Sequence, residues 1–282
     1  MTPPPGPPGE AAPDPAELLR LAVHVATEAG HLVATGRRGI VEVSDTKSSP
    51  TDVVTAVDVA SEQLIRREIR AARPDDAFVG EEGDDTAGTS GVTWVADPID
   101  GTVNFLYSIP QFAVSLAARV GDEVVAGVVH NPVSGETFTA IIGGGAFLGG
   151  EPITVSGCRD LATALVGIGY TYRADVRAHQ AVETSRLVAV VRDIRRLGSA
   201  ALDLCFVGCG RLDAYVERGL KPWDLAAGRL IASEAGARVA GLGGAEASER
   251  IVVAAPVRLF PTFEEALVDA GFGDWPMPSW PG

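Results

Sequence analysis

Two aspartates, Asp97 and Asp100, lie three positions apart in WVADPIDGTVNF, residues 94–105, where an apolar run ends. Asp97 is predicted to close a strand and Asp100 to lie one turn on, so that both carboxylates point to one side. Pro98 stiffens this turn because its ring fixes φ, and the intervening Ile99 offers a backbone carbonyl. Mg²⁺ prefers oxygen ligands of this kind. The pattern therefore predicts a site for a hard cation.

The same residues also have an ordinary structural interpretation. Asp97-Pro98 and Asp100-Gly101 are both common turn dipeptides, and in a plain strand-and-loop segment the two acids would simply be solvated. The stretch alone does not favour one interpretation over the other, so the rest of the chain has to decide.

Three further acidic positions lie at the ends of apolar runs or beside turns: Asp58 in KSSPTDVVTAVD, Glu81 after AFVG, and Asp224 in KPWDLAAG. Lys47 opens the first of these segments, and Glu217 precedes Asp224 by seven residues. Each position alone is weak evidence, because an acid at a helix start is more often a cap than a ligand. Together with the two aspartates described above, they favour a cluster of carboxylates.

Gly101 and Thr102, directly after the second aspartate, are predicted to begin a helix-like turn. The first N–H groups of a helix lack intrahelical partners and favour anions. Metal-binding carboxylates followed by such a turn would form a phosphate site. The histidines lie outside these segments, so no catalytic triad competes with this interpretation.

The chain has 282 residues, and its 23 Lys+Arg against 37 Asp+Glu give a formal net charge of −14. This charge repels phosphate backbones and anionic lipid surfaces, so we expect no direct nucleic-acid partner and no membrane partner. A phosphorylated substrate would need cations at the site to offset it. The start of the chain lacks the pattern of a secretory signal, which predicts a cytoplasmic protein.

Three cysteines, Cys158, Cys205 and Cys209, fit neither a disulfide framework nor a zinc site, and the last two are interpreted as core thiols. No apolar run reaches the length of a membrane span. The Ala- and Gly-rich, lysine-poor composition favours a bacterial source of high GC content.

The N-terminal part of the chain is predicted to form a Pro-rich disordered leader, residues 1–14, and an α+β half, residues 15–160. This half starts with a helix that Asp14 caps and Gly36 ends. A second helix follows over 55–72, with three charged residues on its solvent face: Arg66, Arg67 and Glu68. Short β-rich runs from 93 to 155 then predict a mostly antiparallel meander.

The C-terminal half, residues 161–282, alternates predicted strands with helices. The predicted helices are 179–191, 199–207, 224–235 and 261–270. Helices layered against two sheets indicate an α/β (α+β) fold class.

Four segments, in this order, resemble the motifs of the inositol monophosphatase family: KSSPTDVVTAVD, GEEG, DPIDGTVNF and WDLAAGRLIASEAGA. The third and fourth are highly specific, and the resemblance covers the chain from about residue 15 to residue 270. It implies a layered α-β-α-β-α sandwich with the site between the two halves, and a homodimer.

The resemblance also implies two or three Mg²⁺ ions in the site. The first ion would be held by Glu81, Asp97 and the backbone carbonyl of Ile99, and a third, weaker ion would lie near Glu81. The second ion would be held by Asp97, Asp100 and Asp224. The stretch from 85 to 91, DTAGTSG, is expected to form a flexible loop near Glu81 that affects the third ion.

Catalytic roles follow from the same resemblance. Glu81, Asp58 and Thr102 would orient and activate a water molecule for in-line attack on phosphorus. Gly101 and Thr102 would offer backbone N–H groups to the phosphate.

The remaining substrate contacts implied by the family lie on both halves. Asp100 and Asp224 would lie against the substrate as well as against the metal. Ser199, Ala200 and Glu217 would read the ring, with Glu217 accepting hydrogen bonds from ring hydroxyl groups.

The implied activity is Mg²⁺-dependent, lithium-sensitive hydrolysis of myo-inositol 1-phosphate and related inositol monophosphates. Other small phosphomonoesters stay open: histidinol phosphate, fructose 1,6-bisphosphate and 3′-phosphoadenosine phosphate. A nucleotide bisphosphatase needs basic or aromatic groups, and the main basic run is VVRDIRRLG, with Arg192, Arg195 and Arg196. This run is interpreted as a solvated or interface face, although one arginine could reach a partner subunit's site. A non-enzymatic accessory factor that binds the transcription machinery is the alternative from a different class.

Overall fold

The computed structural model describes residues 13–37, 43–46 and 53–273. The first twelve residues of the predicted leader and Lys47 lie outside the described residues. None of the helices in the described ranges has the length and apolar character that crossing a bilayer requires.

The elements follow one another along the chain as seven α-helices, fourteen strands and one short 3₁₀ turn within the described residues. In chain order they are α1 (Pro15–Gly36), β1 (Val43–Thr46), β2 (Val53–Thr55), α2 (Ala56–Ala72), β3 (Ala77–Gly80), β4 (Val92–Asp100), α3 (Thr102–Leu106), β5 (Ala113–Val120), β6 (Glu123–His130), β7 (Thr137–Ile141), β8 (Gly145–Leu148), β9 (Glu151–Pro152), the 3₁₀ turn (Leu161–Thr163), β10 (Leu165–Ile168), α4 (Ala174–Leu187), β11 (Asp193–Arg195), α5 (Ala200–Gly208), β12 (Ala214–Glu217), α6 (Pro222–Glu234), β13 (Ala237–Ala240), β14 (Val252–Pro256) and α7 (Phe260–Ala270).

A seven-stranded sheet runs in the order β3-β4-β5-β6-β7-β8-β9. All its neighbours pair antiparallel except β3 and β4, which are parallel. The predicted meander is therefore confirmed. Helices α1 and α2 cover one face, where Val25, Ile65 and Trp94 belong to one buried apolar cluster.

A five-stranded sheet runs in the order β11-β10-β12-β14-β13. Helices α5 and α6 lie between the two sheets, and α4 and α7 cover the outer face of the smaller one. Each of the four gaps between layers holds its own apolar cluster. The predicted α-β-α-β-α sandwich is confirmed. The division into halves near residue 160 stays a prediction, since α5 and α6 pack against both sheets.

Helix ends depend on local capping, and the sequence predicted most of them. Asp14 caps α1 by accepting from the N–H of Ala16 at 2.9 Å. Thr55 caps α2, and its N–H donates to the Asp58 carboxylate at 2.9 Å. The prediction that Arg66 lies on the solvent face of α2 was wrong: this residue is half-buried, with its Nε 2.8 Å from a carboxylate oxygen of Glu62.

The prediction for α4 was shifted along the chain. The helix covers Ala174–Leu187 and not 179–191. The first turn of α4 lacks a run of apolar residues at helical spacing, so the sequence pattern did not predict where the helix begins. Val188 and Val190, which suggested a continued helix, are about half exposed beyond its end.

Helices α5 and α6 approach each other closely at Gly228. A Cβ atom there would lie 3.0 Å from Cβ of Leu204 and 3.2 Å from the carbonyl oxygen of Ala201. Glycine normally weakens a helix interior by about 1 kcal/mol relative to alanine. Here its small size allows two helices to pack backbone to backbone between the sheets.

We expect the change Gly228→Leu to lower the free energy of unfolding by about 1–3 kcal/mol, because the added side chain overpacks the α5–α6 contact. Urea denaturation measures this loss. Ser233→Leu, which places the same side chain on the exposed face of α6, is the matched control and should change stability little. Equal effects of the two changes would contradict this account of Gly228.

Candidate active site

Strand β4 brings Asp97 and Asp100 to the same side through a bulge. Asp97 lies opposite Ser115 and Asp100 opposite Ala113, so β4 advances three residues while β5 advances two. In a regular strand, residues three apart point to opposite faces. The extra residue reverses this relation. The expectation that Asp100 lies one turn after the strand was wrong, because the strand continues to Asp100.

Asp224 completes a cluster of three carboxylates. It lies in the first turn of α6, and one oxygen each from Asp97, Asp100 and Asp224 falls within 4.8 Å of the other two. The Asp224 carboxylate also accepts from the N–H of Lys221 at 2.7 Å. The capping role and the cluster role, which the sequence offered as alternatives, therefore coexist.

The start of α5 holds the Asp100 carboxylate. The N–H groups of Ala200 and Ala201 donate to it at 3.2 and 2.8 Å, and the hydroxyl of Ser199 donates to one of its oxygens. Ser199 is buried, with 1% of its surface exposed, whereas Ala200 lies in the cavity wall. The substrate contact of Ser199 and Ala200 stays a prediction, and the geometry adds a role in orienting Asp100.

Asp58 and Thr102, 44 positions apart in the chain, meet in the structure. The Thr102 hydroxyl lies 3.1 Å from a carboxylate oxygen of Asp58 and 3.1 Å from the carbonyl of Ile99. The other Asp58 oxygen accepts from Thr55. The sequence predicted this pair, and the structure brings its members together.

Gly101, the N-cap residue of α3, has φ of 97°. A Cβ atom there would lie 3.0 Å from the carbonyl oxygens of Gln111 and Gly198. Both the left-handed backbone and the close packing therefore require glycine at this position.

Glu81 is the first residue after β3. The parallel pairing of Gly80 with Ala96 places the next residues of the two strands, Glu81 and Asp97, at the same sheet edge. Glu81 lines the same cavity as the carboxylate cluster, and its charge helps to raise the pKa of Asp97.

These residues surround one cavity of about 510 Å³, which both halves of the chain line. Glu217 also lines this cavity, and the hydroxyl of Tyr215 donates to its carboxylate. Gly169 packs against this carboxylate, since a Cβ atom there would overlap it.

Sequence reasoning missed the aromatic and basic part of the cavity wall. Its principal members are Tyr170, Tyr172, Arg173, Lys221 and Trp223. They lie in loops and at a helix start, where apolar spacing gives no signal.

The three arginines in and beside β11 have different surroundings in the structure. Arg196 lines the cavity of its own chain, whereas Arg192 donates to the Thr163 carbonyl and Arg195 pairs with Asp193. Arg196 is exposed as well as lining the cavity, so the solvated face is consistent with the structure, and the interface alternative stays a prediction.

Burial and like charge raise the pKa values of the clustered acids. Burial, and then the charge of Glu81, raises the pKa of Asp97 well above its usual range. Burial raises the pKa of Asp100 to about 6, although Ser199 opposes the shift. The pKa of Asp224 is raised by burial and by the charges of Glu81 and Asp100.

The pKa values of two acids outside the triad of Asp97, Asp100 and Asp224 are also raised. Burial raises the pKa of Asp58 to about 6 even though Thr55 donates to it. Burial raises the pKa of Glu217 to about 7, and the charge of Arg196 opposes the shift. A dense set of carboxylate oxygens with raised pKa values fits a hard divalent cation, which would favour their ionised forms.

The chain was compared with known proteins. The sequence model of the inositol monophosphatase family matches residues 14–269. An inositol-1-monophosphatase of Mycobacterium bovis is 48% identical over 245 residues, which cover 80% of this chain and 84% of that protein. A Nus factor SuhB of Escherichia coli K12 is 40% identical over 221 residues, covering 78% of this chain and 83% of that protein.

Solved structures agree with this result. The extragenic suppressor protein suhB of Bartonella henselae superposes with a TM-score of 0.84 at 35% identity, covering 89% of this chain and 98% of that one. The inositol monophosphatase of Anabaena superposes with a TM-score of 0.81 at 29% identity, covering 90% of this chain and 96% of that one. The fold is thus shared with these proteins.

The raised pKa values predict how stability depends on pH. Folded Asp97, Asp100 and Asp224 retain protons above the ordinary aspartate pKa of 3.8, so the folded state binds more protons than the unfolded state there. Without metal, this contribution to stability is lost as the pH rises from about 4 through the folded pKa values. Mg²⁺ should therefore raise Tm by more at pH 7.5 than at pH 5.

Differential scanning calorimetry at both pH values, with and without Mg²⁺, measures the effect. Asp97→Asn removes one of the titrating groups, so this variant should show a flatter pH dependence without metal and a smaller gain with it. An equal Mg²⁺ effect at the two pH values in the unmodified protein would refute the assignment of these acids to a metal site.

Proposed function

Because the chain belongs to the inositol monophosphatase family, we propose that it is a Mg²⁺-dependent phosphomonoesterase that hydrolyses myo-inositol 1-phosphate and related inositol monophosphates. The observation that carries the proposal is the triad of Asp97, Asp100 and Asp224, which lies beside the start of α3. Two or three Mg²⁺ ions per site are proposed, with ligands from the triad, Glu81 and the Ile99 carbonyl. When bound, Mg²⁺ offsets phosphate charge and lowers the pKa of water.

The protein groups orient the reactants. Asp58 is fixed by Thr55 and accepts a hydrogen bond from the Thr102 hydroxyl. With its proton directed to Asp58, the Thr102 oxygen can accept a hydrogen bond from the attacking water. Glu81 lies at the same cavity wall and is proposed to accept the proton of that water. The N–H groups of Gly101 and Thr102 are proposed to donate to the phosphate.

Glu217 is proposed to recognise the ring. Its carboxylate lies in the cavity wall, where it can accept hydrogen bonds from hydroxyl groups. A cavity of about 510 Å³ falls within the common range for small-molecule sites. These features support a phosphorylated polyol as the substrate.

A bisphosphate is an alternative substrate because basic residues line the cavity wall. Arg173 and Lys221 line the cavity, but they pair with Asp175 and Glu249. Arg196 opposes the raised pKa of Glu217 by its charge. Because these cations lie close to acids of the protein, we favour a monophosphate over fructose 1,6-bisphosphate and 3′-phosphoadenosine phosphate, and histidinol phosphate, itself a monophosphate, stays an alternative.

A second candidate is an accessory factor of the transcription machinery. The relative named Nus factor SuhB, at 40% identity, favours it. A homodimer, lithium inhibition and a cytoplasmic location are proposed on family resemblance and composition, and the net charge of −14 supports the absence of direct nucleic-acid binding.

The first test is phosphate release by purified protein with and without Mg²⁺. The panel contains myo-inositol 1-phosphate, fructose 1,6-bisphosphate, histidinol phosphate, 3′-phosphoadenosine 5′-phosphate and glycerol 2-phosphate. We expect Mg²⁺-dependent turnover led by inositol 1-phosphate. Asp97→Asn should lower kcat by several orders of magnitude because the site loses a charged ligand. Asp122→Asn, at an exposed turn, is the control and should retain full activity.

Each outcome of the panel has a distinct meaning. A different leading substrate would overturn the proposed specificity and leave the phosphatase chemistry intact. Near-normal activity of Asp97→Asn would overturn the assigned metal site. No turnover of any ester by folded protein that binds Mg²⁺ would favour the accessory role.

Glu217 gives a separate test of ring recognition. Glu217→Gln keeps the size of the side chain but replaces one acceptor oxygen by a donor. We expect KM for inositol 1-phosphate to rise about 10-fold, the effect of losing one hydrogen bond to a charged group. Glycerol 2-phosphate, which has no ring, should be affected less. An equal change in KM for both substrates would contradict a role in reading the ring.

A further inference from the structure

Helix α2 binds the loop that carries Glu81, and the contact involves two charged residues to which no function has been given above. Glu62 is buried, with 2% of its surface exposed. One of its carboxylate oxygens accepts from the N–H of Glu82 at 2.7 Å, and the other accepts from Nε of Arg66 at 2.8 Å. The bond to Glu82 fixes the peptide group that directly follows Glu81.

Arg66 closes the other side of this loop. Its guanidinium donates to the carbonyl of Gly83 at 3.2 Å and lies 3.4 Å from the hydroxyl of Thr86. The same group lies over the ring of Phe78 in β3, with Cζ 4.2 Å from the ring centroid. Arg66 therefore connects α2 to the residues on both sides of Glu81.

Two glycines allow the loop to lie this close to the helix. A Cβ atom on Gly80 would lie 2.5 Å from one carboxylate oxygen of Glu62, and a Cβ atom on Gly83 would lie 3.0 Å from the other. The loop is thus fitted around the Glu62 carboxylate. Backbone hydrogen bonds between Phe78 and Thr86 close it. The flexible loop expected over 85–91 stays a prediction.

The same face of α2 also contacts the other side of the site. Asp58, one turn before Glu62, accepts from the Thr102 hydroxyl, and Ser61 lies 3.3 Å from the carbonyl of Pro98 in β4. One rigid helix therefore contacts both the Glu81 loop and the bulged end of β4.

We propose that Glu62 and Arg66 are positioning residues that hold Glu81 at a fixed distance from the carboxylates of Asp97, Asp100 and Asp224, and so set the affinity for the Mg²⁺ that Glu81 binds. This inference rests on the proposed metal-dependent function. A simple i, i+4 ion pair on a helix contributes little to stability, and by itself would leave metal affinity unchanged.

The test compares Arg66→Leu with Arg67→Leu. Arg67 lies next in the same helix, with 67% of its side chain exposed and a surface pairing to Glu68, so both variants lose one positive charge. A purely electrostatic effect of removing a cation near the site would strengthen Mg²⁺ binding. Loss of positioning would weaken it, so the two effects have opposite signs.

The Mg²⁺ concentration that gives the half-maximal rise in Tm is measured for each protein, together with kcat at saturating Mg²⁺. We expect Arg66→Leu to need about 10-fold more Mg²⁺, the lower end of the effect typical for groups that orient metal ligands. Its kcat at saturation should stay close to that of the unmodified protein. Arg67→Leu should match the unmodified protein in both measurements.

Arg66→Lys covers the case in which the leucine variant does not fold. Lysine can pair with Glu62 but cannot also reach Gly83 with a planar fork, so the Mg²⁺ requirement should rise to an intermediate level. Unchanged or tighter Mg²⁺ binding in the folded Arg66 variants would overturn the positioning role. If the unmodified protein itself shows neither a Mg²⁺-dependent Tm shift nor phosphate release, the proposed function fails as well, and this inference fails with it.

Discussion

Several carboxylates have to be held close together in the cavity wall, and much of the surrounding structure depends on this constraint. Each acid lies where donors partly offset its charge: the start of α5 for Asp100, the N–H of Lys221 for Asp224, and Thr55 for Asp58. These donors orient the acids without removing their mutual repulsion, since their pKa values remain raised. The remaining cost is the kind that a bound cation offsets.

The sequence predicted a cluster of carboxylates, and Asp97, Asp100 and Asp224 do lie together, while their role as metal ligands stays a prediction. Asp97 and Asp100 were correctly paired, but the geometry was not foreseen, since a bulge depends on the register with β5. Asp224 shows that two competing interpretations need not exclude each other. A carboxylate has two oxygens and about four acceptor sites, so one residue can serve the Lys221 N–H and the cluster together. The alternation of helices and strands predicted helices layered against two sheets, and the order of the layers came from the family resemblance.

Contacts between segments far apart in the chain could not be predicted from local spacing. Ser199 reaches Asp100 across 99 positions of the chain, and nothing in its neighbourhood distinguishes it from an ordinary N-cap residue. Arg66 lies on a helix face whose neighbours are charged, which predicted solvent exposure. Its half-buried position follows from the Glu81 loop, which folds back onto α2. Tyr172 and Arg173 lie in the loop before α4, where the sequence has no period that would place them at a cavity.

The site is therefore built from two subassemblies with different supports. Asp100 and Asp224 depend on the starts of α5 and α6, whose separation is set by close packing at Gly228. Asp58 and the Glu81 loop depend on α2, where residues one turn apart are separated by about 6 Å along a rigid axis. The seven-stranded sheet joins the two subassemblies through its neighbouring strands β3 and β4. A substitution in α2 can thus move one subassembly relative to the other without changing any carboxylate, which is why ligand identity alone does not determine the affinity of such a site.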